Sequence, residues 1–299
     1  MGAYSIKDLE RLSGIKAHTI RIWEKRYSLI EPTRTDTNIR TYCDAELKKL
    51  LNISVLNRNG LKISKIAQLT KNEITSLVNK LTEDAEKPDN QFESLYISMI
   101  DLNEDLFEKI LSRAIIKMGF EEMIIKLIYP FFRRIGIMWQ TGTITPAQEH
   151  FISNLVRQKL IVAIDSIIAN QSPKSKTFLL YLPENEMHEL GLLFIHYILK
   201  KRGQKVIYLG AMLPIDNLKA IESLKPSDCI VTSIVASVNE EELNNYLNTL
   251  SQKFPEKTIF VTGGQAQLAE NPPHNIKLMT SIKNFIEEIE QIIGSSQFV

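Results

Sequence analysis

The chain has 299 residues, of which 44% are hydrophobic and 24% are charged, a balance typical of a globular protein in water. This length is too great for one small core and predicts two or three domains. No apolar run reaches the roughly 18–20 residues that cross a bilayer, and no signal sequence opens the chain, so we expect a cytoplasmic protein without a membrane partner. The two cysteines, Cys43 and Cys229, lack metal-ligand spacing and are expected to be packing residues.

The net charge of +1 hides an asymmetry along the chain. Residues 1–80 hold 15 Lys and Arg against 8 Asp and Glu, which leaves 21 against 27 for the remainder. A basic amino-terminal part joined to an acidic remainder indicates that a polyanion binds at one end. Charge alone does not identify this polyanion, so the motifs must decide.

The first predicted domain covers residues 1–81 and opens with a helix-turn-helix, because two short amphipathic segments flank a turn that contains glycine. A polar segment with turn-forming residues at its centre then favours a two-stranded wing. The predicted elements are a helix over 6–12, a turn at 13–15, a helix over 18–27, the wing over 34–42 and two helices over about 47–81.

A polar stretch at 82–91, with one proline and no apolar anchor, is predicted to be a linker. Residues 92–172 then carry apolar side chains at spacings of three and four without strand alternation, which predicts a four-helix bundle. Its helices are expected at about 92–101, 104–118, 120–140 and 146–170. Pro130 falls inside the third helix and is expected to kink it or to mark a helix start.

Residues 173–299 alternate strands and helices, which predicts a parallel sheet covered on both faces, of the flavodoxin-like (Rossmann-type) kind. The strands are predicted at 177–182, 205–209, 229–233, 258–262 and 277–279. The helices between and after them are predicted at 188–202, 215–224, 239–253, 265–269 and 282–294. The fold class is therefore multidomain, with an α head, an α bundle and an α/β domain.

The run from Thr19 to Tyr27, followed by Pro32, Arg34, Arg40 and Tyr42, resembles the MerR family of transcriptional regulators. This resemblance implies that the winged head binds double-stranded operator DNA. The candidates for reading base edges lie near the start of the second helix and are His18, Thr19 and Arg21. Arg26 adds positive charge beside them, and the candidates for gripping the phosphate backbone are Tyr27, Arg34, Asn38, Arg40 and Tyr42.

Glu186, His188 and Gly191 lie where the first strand of the sheet ends, at the edge where an open α/β sheet binds its ligand. With Ser233 and the pair Gly263-Gly264 after later strands, they resemble the cobalamin-binding domain shared with methionine synthase and the mutases. Glu186 stands where that family usually has aspartate. The resemblance implies that His188 ligates cobalt from below, Glu186 holds its tautomer, Ser233 bonds the nucleotide tail and the glycines leave room for it. The remaining two histidines of this domain, His196 and His274, are expected to be structural or exposed.

The bundle carries Trp139, Gly142, Glu149 and His150, a spacing that resembles the helical cap of light-sensing regulators of the CarH/LitR type. The resemblance implies that Trp139 covers the upper face of adenosylcobalamin and that Glu149 and His150 surround the adenosyl group. Some such photoreceptors have a second histidine directly after the tryptophan, which captures cobalt after illumination. Here that position is Gln140, so His150 is the remaining candidate for this role.

The leading hypothesis is a cytoplasmic repressor that binds DNA as an adenosylcobalamin-dependent dimer or tetramer and responds to light. A second hypothesis is a corrinoid carrier or methyltransferase-type cobalamin protein. The MerR-like head argues against it, because a carrier needs no DNA reader, and no partner catalytic domain is recognised. A third hypothesis is a cofactor-independent MerR-like repressor with a vestigial pocket. No catalytic residues are expected, and the chain is predicted not to be an enzyme.

Overall fold

The structure, a computed structural model, describes residues 4–34, 38–83, 88–140, 144–168 and 171–295, with side chains described except at 11, 79–83, 88–90, 137–140 and 294–295. Within these residues, no helix is long and apolar enough to cross a membrane. The chain forms two compact units, Met1–Leu155 and Val156–Val299. The first unit joins the predicted head to most of the predicted bundle, and the limits of three separate domains stay predictions.

The first unit opens with the predicted helix-turn-helix. Helices α1 (Ile6–Ser13) and α2 (Ala17–Tyr27) are separated by a turn in which Gly14 has a left-handed backbone, with φ +67°. The carboxylate of Glu10 accepts a hydrogen bond of 3.0 Å from the amide of Ala17 and so caps the start of α2. The end of α1 is therefore tied directly to the beginning of α2.

The predicted wing is present. Strands β1 (Thr33–Arg34) and β2 (Arg40–Thr41) pair antiparallel, and residues 35–37 between them lie outside the described residues. Three helices follow where two were predicted: α3 (Asp44–Arg58), α4 (Ile63–Ile66) and α5 (Lys71–Glu83). The additional short helix follows Gly60, whose positive φ of +91° ends the helical path after α3. This short helix buries Ile66.

The four predicted bundle helices are confirmed, the third of them as two α-helices joined by a π-helical turn. The structure has α6 (Pro88–Ile100), α7 (Glu104–Met118), α8 (Phe120–Met123), α9 (Tyr129–Gln140) and α10 (Pro146–Asp165). A π-helical turn, Ile124–Ile128, joins α8 to α9 just before Pro130, whose missing amide hydrogen interrupts the normal helical ladder. The predicted linker at 82–91 was too long, because α5 and α6 leave only residues 84–87, which lie outside the described residues. The last helix also ends before the predicted residue 170.

A buried carboxylate joins the head to the bundle. Glu93 of α6 is only 2% exposed, and its Oε1 lies 2.5 Å from Nη1 of Arg58, the last residue of α3. Arg58 also donates a hydrogen bond to the carbonyl oxygen of Ser13, beside the turn before α2. Because a buried charge is stable only with partners, this contact fixes α6 against both α3 and that turn.

We expect Arg58→Ala to lower the free energy of unfolding of this unit by about 3 kcal/mol, because Glu93 would keep a buried charge without its guanidinium. Lys48→Ala is the matched control, since Lys48 of α3 forms a more exposed ion pair with Asp101, the residue directly after α6. Its removal should cost less than about 1 kcal/mol. Denaturant titrations of both variants measure the difference, and equal losses would contradict a special role for the buried pair.

The second unit contains the predicted five-stranded sheet. Its strands are β3 (Thr177–Pro183), β4 (Lys205–Leu213), β5 (Cys229–Ser233), β6 (Thr258–Thr262) and β7 (Ile276–Leu278). All neighbours pair parallel in the spatial order β4-β3-β5-β6-β7, which is the flavodoxin-like order. Strand β4 is longer than predicted, because a bulge at Gly210, with φ +78°, lets pairing continue to Leu213.

Helices cover both faces of this sheet. They are α11 (Leu190–Lys201), α12 (Ile215–Leu224), α13 (Glu240–Lys253) and α14 (Ile282–Ser295), and a 3₁₀ turn, Gly264–Leu268, replaces the helix predicted at 265–269. One apolar core lies between the sheet and α12 and α13, and a second lies between the sheet and α11 and α14. The strands are buried on both faces, as the continuous apolar runs predicted.

Candidate functional site

Glu186 organises the carboxyl edge of the sheet. Its side chain is nearly buried and accepts four hydrogen bonds, two at each carboxylate oxygen. Oε1 accepts from the amide of His188 at 2.9 Å and from Nδ1 of the same residue at 2.6 Å. Oε2 accepts from the amides of Val235 and Ala236, both at 2.7 Å. One carboxylate therefore fixes the loop after β3 to the loop after β5.

These contacts also set the ionisation of Glu186 and determine which ring nitrogen of His188 donates to it. Burial opposes ionisation of Glu186, but hydrogen bonds from the His188 ring and from the amides of Ala236, His188 and Val235 prevail and lower its pKa to about 2. An ionised Glu186 can only accept, so Nδ1 of His188 carries the proton that it donates. The lone pair of the neutral ring then lies on Nε2, and the ring is well exposed, at 61%. This arrangement suits a histidine that ligates a metal from the sheet edge, and that role of His188 stays a prediction.

An apolar rim, defined by four exposed side chains, lies at the same edge of the sheet as this histidine. Exposed apolar side chains stand at the carboxyl ends of four different strands: Met187, Met212, Val235 and Leu268. Met212 is held there by a left-handed backbone, with φ +58°. Exposed apolar groups that converge on one edge indicate a surface that is covered by a ligand or partner. The edge therefore combines one exposed imidazole with several exposed apolar side chains.

The predicted motif glycines have different roles. A Cβ at Gly263, where φ is +97°, would lie 2.2 Å from the carbonyl oxygen of Ile234, so glycine is required there by the protein itself. The expectation that Gly263 only leaves room for a ligand was therefore incomplete. At Gly191 and Gly264, in contrast, a Cβ would meet none of the described protein atoms within 4 Å. Protein packing in the described residues does not require these two glycines, and their predicted role toward a ligand stays a prediction.

Ser233 is the last residue of β5 and is 2% exposed. Side chains alternate along a strand, and Cys229 and Val231 of β5 belong to the core beneath α11 and α14. Ser233 therefore points to the same face of the sheet as Gly191, the second residue of α11. The structure thus brings Glu186, His188, Gly191 and Ser233 to one end of the sheet and assigns the last two to one face.

A second carboxylate, which the sequence analysis missed, supports the same loop. Glu189 accepts a hydrogen bond from Arg157 of α10 and another, of 3.0 Å, from the hydroxyl of Tyr208 on β4. His196 stacks on Tyr208 with ring centroids 5.3 Å apart, and burial, then the nearby Lys200, lower its pKa to about 4. His196 is therefore structural, as expected. His274 is exposed, also as expected.

The predicted cap residues are only partly described. Glu149 and His150 lie in the first turn and a half of α10, with Glu149 Oε2 and His150 Nε2 3.6 Å apart and the histidine largely exposed. The side chains of Trp139 and Gln140 and all of Gly142 lie outside the described residues. The role of this group therefore stays a prediction.

The head presents a cationic face on α2. Ile20 and Trp23 are buried, whereas the exposed side chains fall on the opposite side of the helix. They are His18, Arg21, Ile22, Lys25 and Arg26, of which the sequence analysis missed Ile22 and Lys25. Thr19 and Tyr27 are half-buried at the margins; the guanidinium of Arg26 lies 5.5 Å from the Tyr27 ring centroid. This face includes the predicted base readers His18 and Arg21, and their contact with DNA stays a prediction.

In and beside the wing, the predicted role of Tyr42 was wrong, and Arg40 has an additional structural contact. Tyr42 is 1% exposed, and its hydroxyl donates a hydrogen bond of 3.3 Å to Glu24 of α2, so it is a core residue and does not present itself to a DNA backbone. Arg40 also binds Glu24, at 3.2 Å, and therefore holds the wing against α2. Arg34 is exposed and donates to Asn38 Oδ1 at 2.6 Å, so both residues lie on the wing surface. Their predicted contact with the DNA backbone stays a prediction.

Two regions of the chain match known protein families. Residues 4–73 match the MerR HTH family of regulatory proteins, and residues 91–163 match a B12 binding domain. The chain is 29% identical to the HTH-type transcriptional repressor CarH of Myxococcus xanthus, over 88% of this chain and 89% of that protein. It is 27% identical to the repressor CarA of the same organism, over 93% of this chain and 97% of that protein.

Among solved structures, the monomethylamine corrinoid protein of Methanosarcina barkeri matches 69% of this chain and all of its own, with a TM-score of 0.54 and 12% identity. This likeness supports the fold of the helical region and the parallel sheet. The chain is thus a DNA-binding cobalamin regulator, built from a MerR-type helix-turn-helix and a B12-binding module. It is homologous over most of its length to the CarH and CarA repressors.

Proposed function

We propose that this chain is a cytoplasmic transcriptional repressor that binds adenosylcobalamin through His188 and binds operator DNA as a cofactor-dependent, light-sensitive oligomer. The observation that carries the proposal is the Glu186–His188 pair, in which a buried carboxylate holds the imidazole with its lone pair on Nε2. Homology to the CarH and CarA repressors over most of the chain supports the regulatory role. The compared relatives are regulators, and we accordingly propose that the chain is not an enzyme.

The residues present fit a corrinoid. A flat macrocycle with a central cobalt needs an axial nitrogen ligand and an apolar platform, and the sheet edge supplies His188 and the rim of Met187, Met212, Val235 and Leu268. Ser233, Gly191 and Gly264 would accommodate the nucleotide tail, since the hydroxyl can hydrogen-bond it and the two glycines leave room. Bound adenosylcobalamin would supply a cobalt–carbon bond that light cleaves.

Residues of the predicted cap would also contact the cofactor. Trp139 would exclude water from the upper face, and the carboxylate of Glu149 would accept hydrogen bonds from ribose hydroxyls of the adenosyl group. Cofactor can shift the assembly only if it binds one state more tightly than the other. We propose that it stabilises a state whose surface self-associates, so that several basic heads bind repeated DNA sites together.

Absorption spectra of the chain mixed with adenosylcobalamin test this proposal. In darkness, we expect a spectrum in which a protein histidine has replaced the cofactor's own base, and illumination should then change it irreversibly. A corrinoid carrier would bind the cofactor but show no cofactor-dependent DNA binding. A spectrum identical to that of the free cofactor would contradict cobalamin binding and would leave a cofactor-independent repressor.

We expect Glu186→Gln to weaken cofactor binding by about 10–100-fold. The glutamine oxygen would face the amides of Val235 and Ala236, and its NH₂ group would face His188. That orientation favours the imidazole tautomer with the proton on Nε2, so the tautomer that presents its Nε2 lone pair to cobalt becomes less populated. Glu184→Gln is the matched control, because Glu184 is exposed on the same loop. Titrations followed by absorbance compare the two, and equal affinities would contradict the role given to Glu186.

For the head, we expect Arg21→Ala to cost about 1–3 kcal/mol at one base pair and so to relax sequence preference there. Arg40→Ala should weaken binding to every sequence, because the wing loses its contact with Glu24. Arg133→Ala, an exposed position on α9, is the control. Binding of all variants should fall with rising salt, since phosphate contacts release counterions. Binding measured on a matched set of duplexes would contradict this assignment if Arg21→Ala left sequence preference unchanged.

A further inference from the structure

One apolar side chain stands in the middle of the cationic face of α2. Ile22 is 52% exposed, although Ile20 and Trp23 of the same helix are at most 6% exposed. Residues three and four apart share a helical face, so Ile22 lies beside His18, Lys25 and Arg26. Exposing this isoleucine contributes nothing to the core of the head. A single exposed apolar side chain is ordinary at a protein surface, so the surroundings of Ile22 carry the argument.

The surroundings of Ile22 indicate which ligand. His18, Arg21, Lys25 and Arg26 are all exposed on this face, and the nearest acidic residue of the helix, Glu24, is directed to the wing, where it binds Arg40 and Tyr42. A cationic surround favours a polyanion over an apolar protein surface. In the major groove of DNA, the apolar group that a side chain can contact is the C5-methyl group of thymine.

We propose that Ile22 reads the C5-methyl group of a thymine and is therefore a specificity-determining residue of the recognition helix. The inference rests on the proposed DNA-binding function and extends it to one chemical group. Arg21 and His18 would hydrogen-bond neighbouring base edges, while Ile22 would distinguish thymine from cytosine at its own position. Loss of one buried methyl contact corresponds to about fourfold in affinity.

The test removes the methyl group from the DNA and the side chain from the protein. The full chain, with and without adenosylcobalamin in darkness, first selects its preferred duplexes from a random library. The selected duplex is then made with thymine or with deoxyuridine, which lacks only the C5-methyl group, at each position in turn. Affinities are measured for wild type, Ile22→Ala and the control Ile116→Ala, which removes an exposed isoleucine of the bundle helix α7. Thermal melting verifies that both variants fold.

We expect deoxyuridine at one thymine position to weaken wild type and Ile116→Ala by about fourfold. Ile22→Ala should bind the thymine duplex with the same weakening and should not respond to deoxyuridine at that position. A wild-type protein that is indifferent to every deoxyuridine, or an Ile22→Ala variant that responds as wild type does, would overturn the inference and leave DNA binding intact. Failure to select any sequence would overturn the proposed function and this inference together.

Discussion

His188→Ala is expected to lower the affinity for adenosylcobalamin by more than the roughly 100-fold upper range for a supporting residue, because it removes the axial nitrogen itself. His188 is the histidine that the structure places at the carboxyl edge of the sheet, with Glu186 holding its tautomer. His274→Ala is the matched control: it removes an exposed histidine just before β7, at the opposite, amino edge of the same parallel sheet.

Cofactor titrations in darkness, followed by absorbance, measure this effect. Wild type and His274→Ala should give the same histidine-ligated spectrum, and His188→Ala should lose it. Circular dichroism verifies folding, which we expect to be preserved because the exposed His188 ring contributes little to the core. Retention of the wild-type spectrum in His188→Ala would mean that the cobalt ligand lies elsewhere.

Illumination is expected to lower the DNA affinity of the cofactor-loaded chain by about 100-fold or more, because release of an assembly removes the avidity of several heads. Size-exclusion profiles measure release of the assembly, and DNA titrations measure the loss of affinity, each in darkness and after light. We expect the lit sample to elute as a smaller species. Coincident dark and lit profiles would contradict light sensing but would leave cobalamin binding intact.

Two variants determine how the lit state is stabilised. Gln140→His places an imidazole directly after Trp139, and we expect it to change the spectrum of the lit sample. His150→Ala tests the histidine that the chain already carries in this region, which is largely exposed on α10. If His150→Ala matches wild type in darkness and light, His150 does not ligate cobalt after illumination.

The fold could be predicted from local patterns to a large degree. The five strands and their parallel order followed from apolar runs separated by amphipathic helices, and the helix-turn-helix followed from two short amphipathic segments around Gly14. The short helix Ile63–Ile66 and the π-helical turn Ile124–Ile128 were missed. Both are single turns whose form depends on tertiary packing more than on periodicity.

The candidate site was predicted at the level of residue identity, but not of contacts. The pairing of Glu186 with His188 is local, so spacing alone suggested it, whereas its bonds to the amides of Val235 and Ala236 cross 49 and 50 positions and depend on how two strands are aligned. In the same way, the prediction that Tyr42 faces DNA was wrong. Tyr42 pairs with Tyr4 and bonds Glu24, and these long-range contacts are not visible in a local pattern. Patterns indicate residue types near a site, and only the packed chain assigns their partners.

The central claim is that cobalamin bound through His188 controls DNA binding, and one measurement tests it directly. The affinity of wild type and His188→Ala for a selected duplex is determined in darkness, with and without adenosylcobalamin. We predict that the cofactor strengthens DNA binding by wild type by about 100-fold or more through assembly, and that it leaves His188→Ala unchanged. Equal affinities of wild type with and without the cofactor, or an equal gain in His188→Ala, would contradict the account.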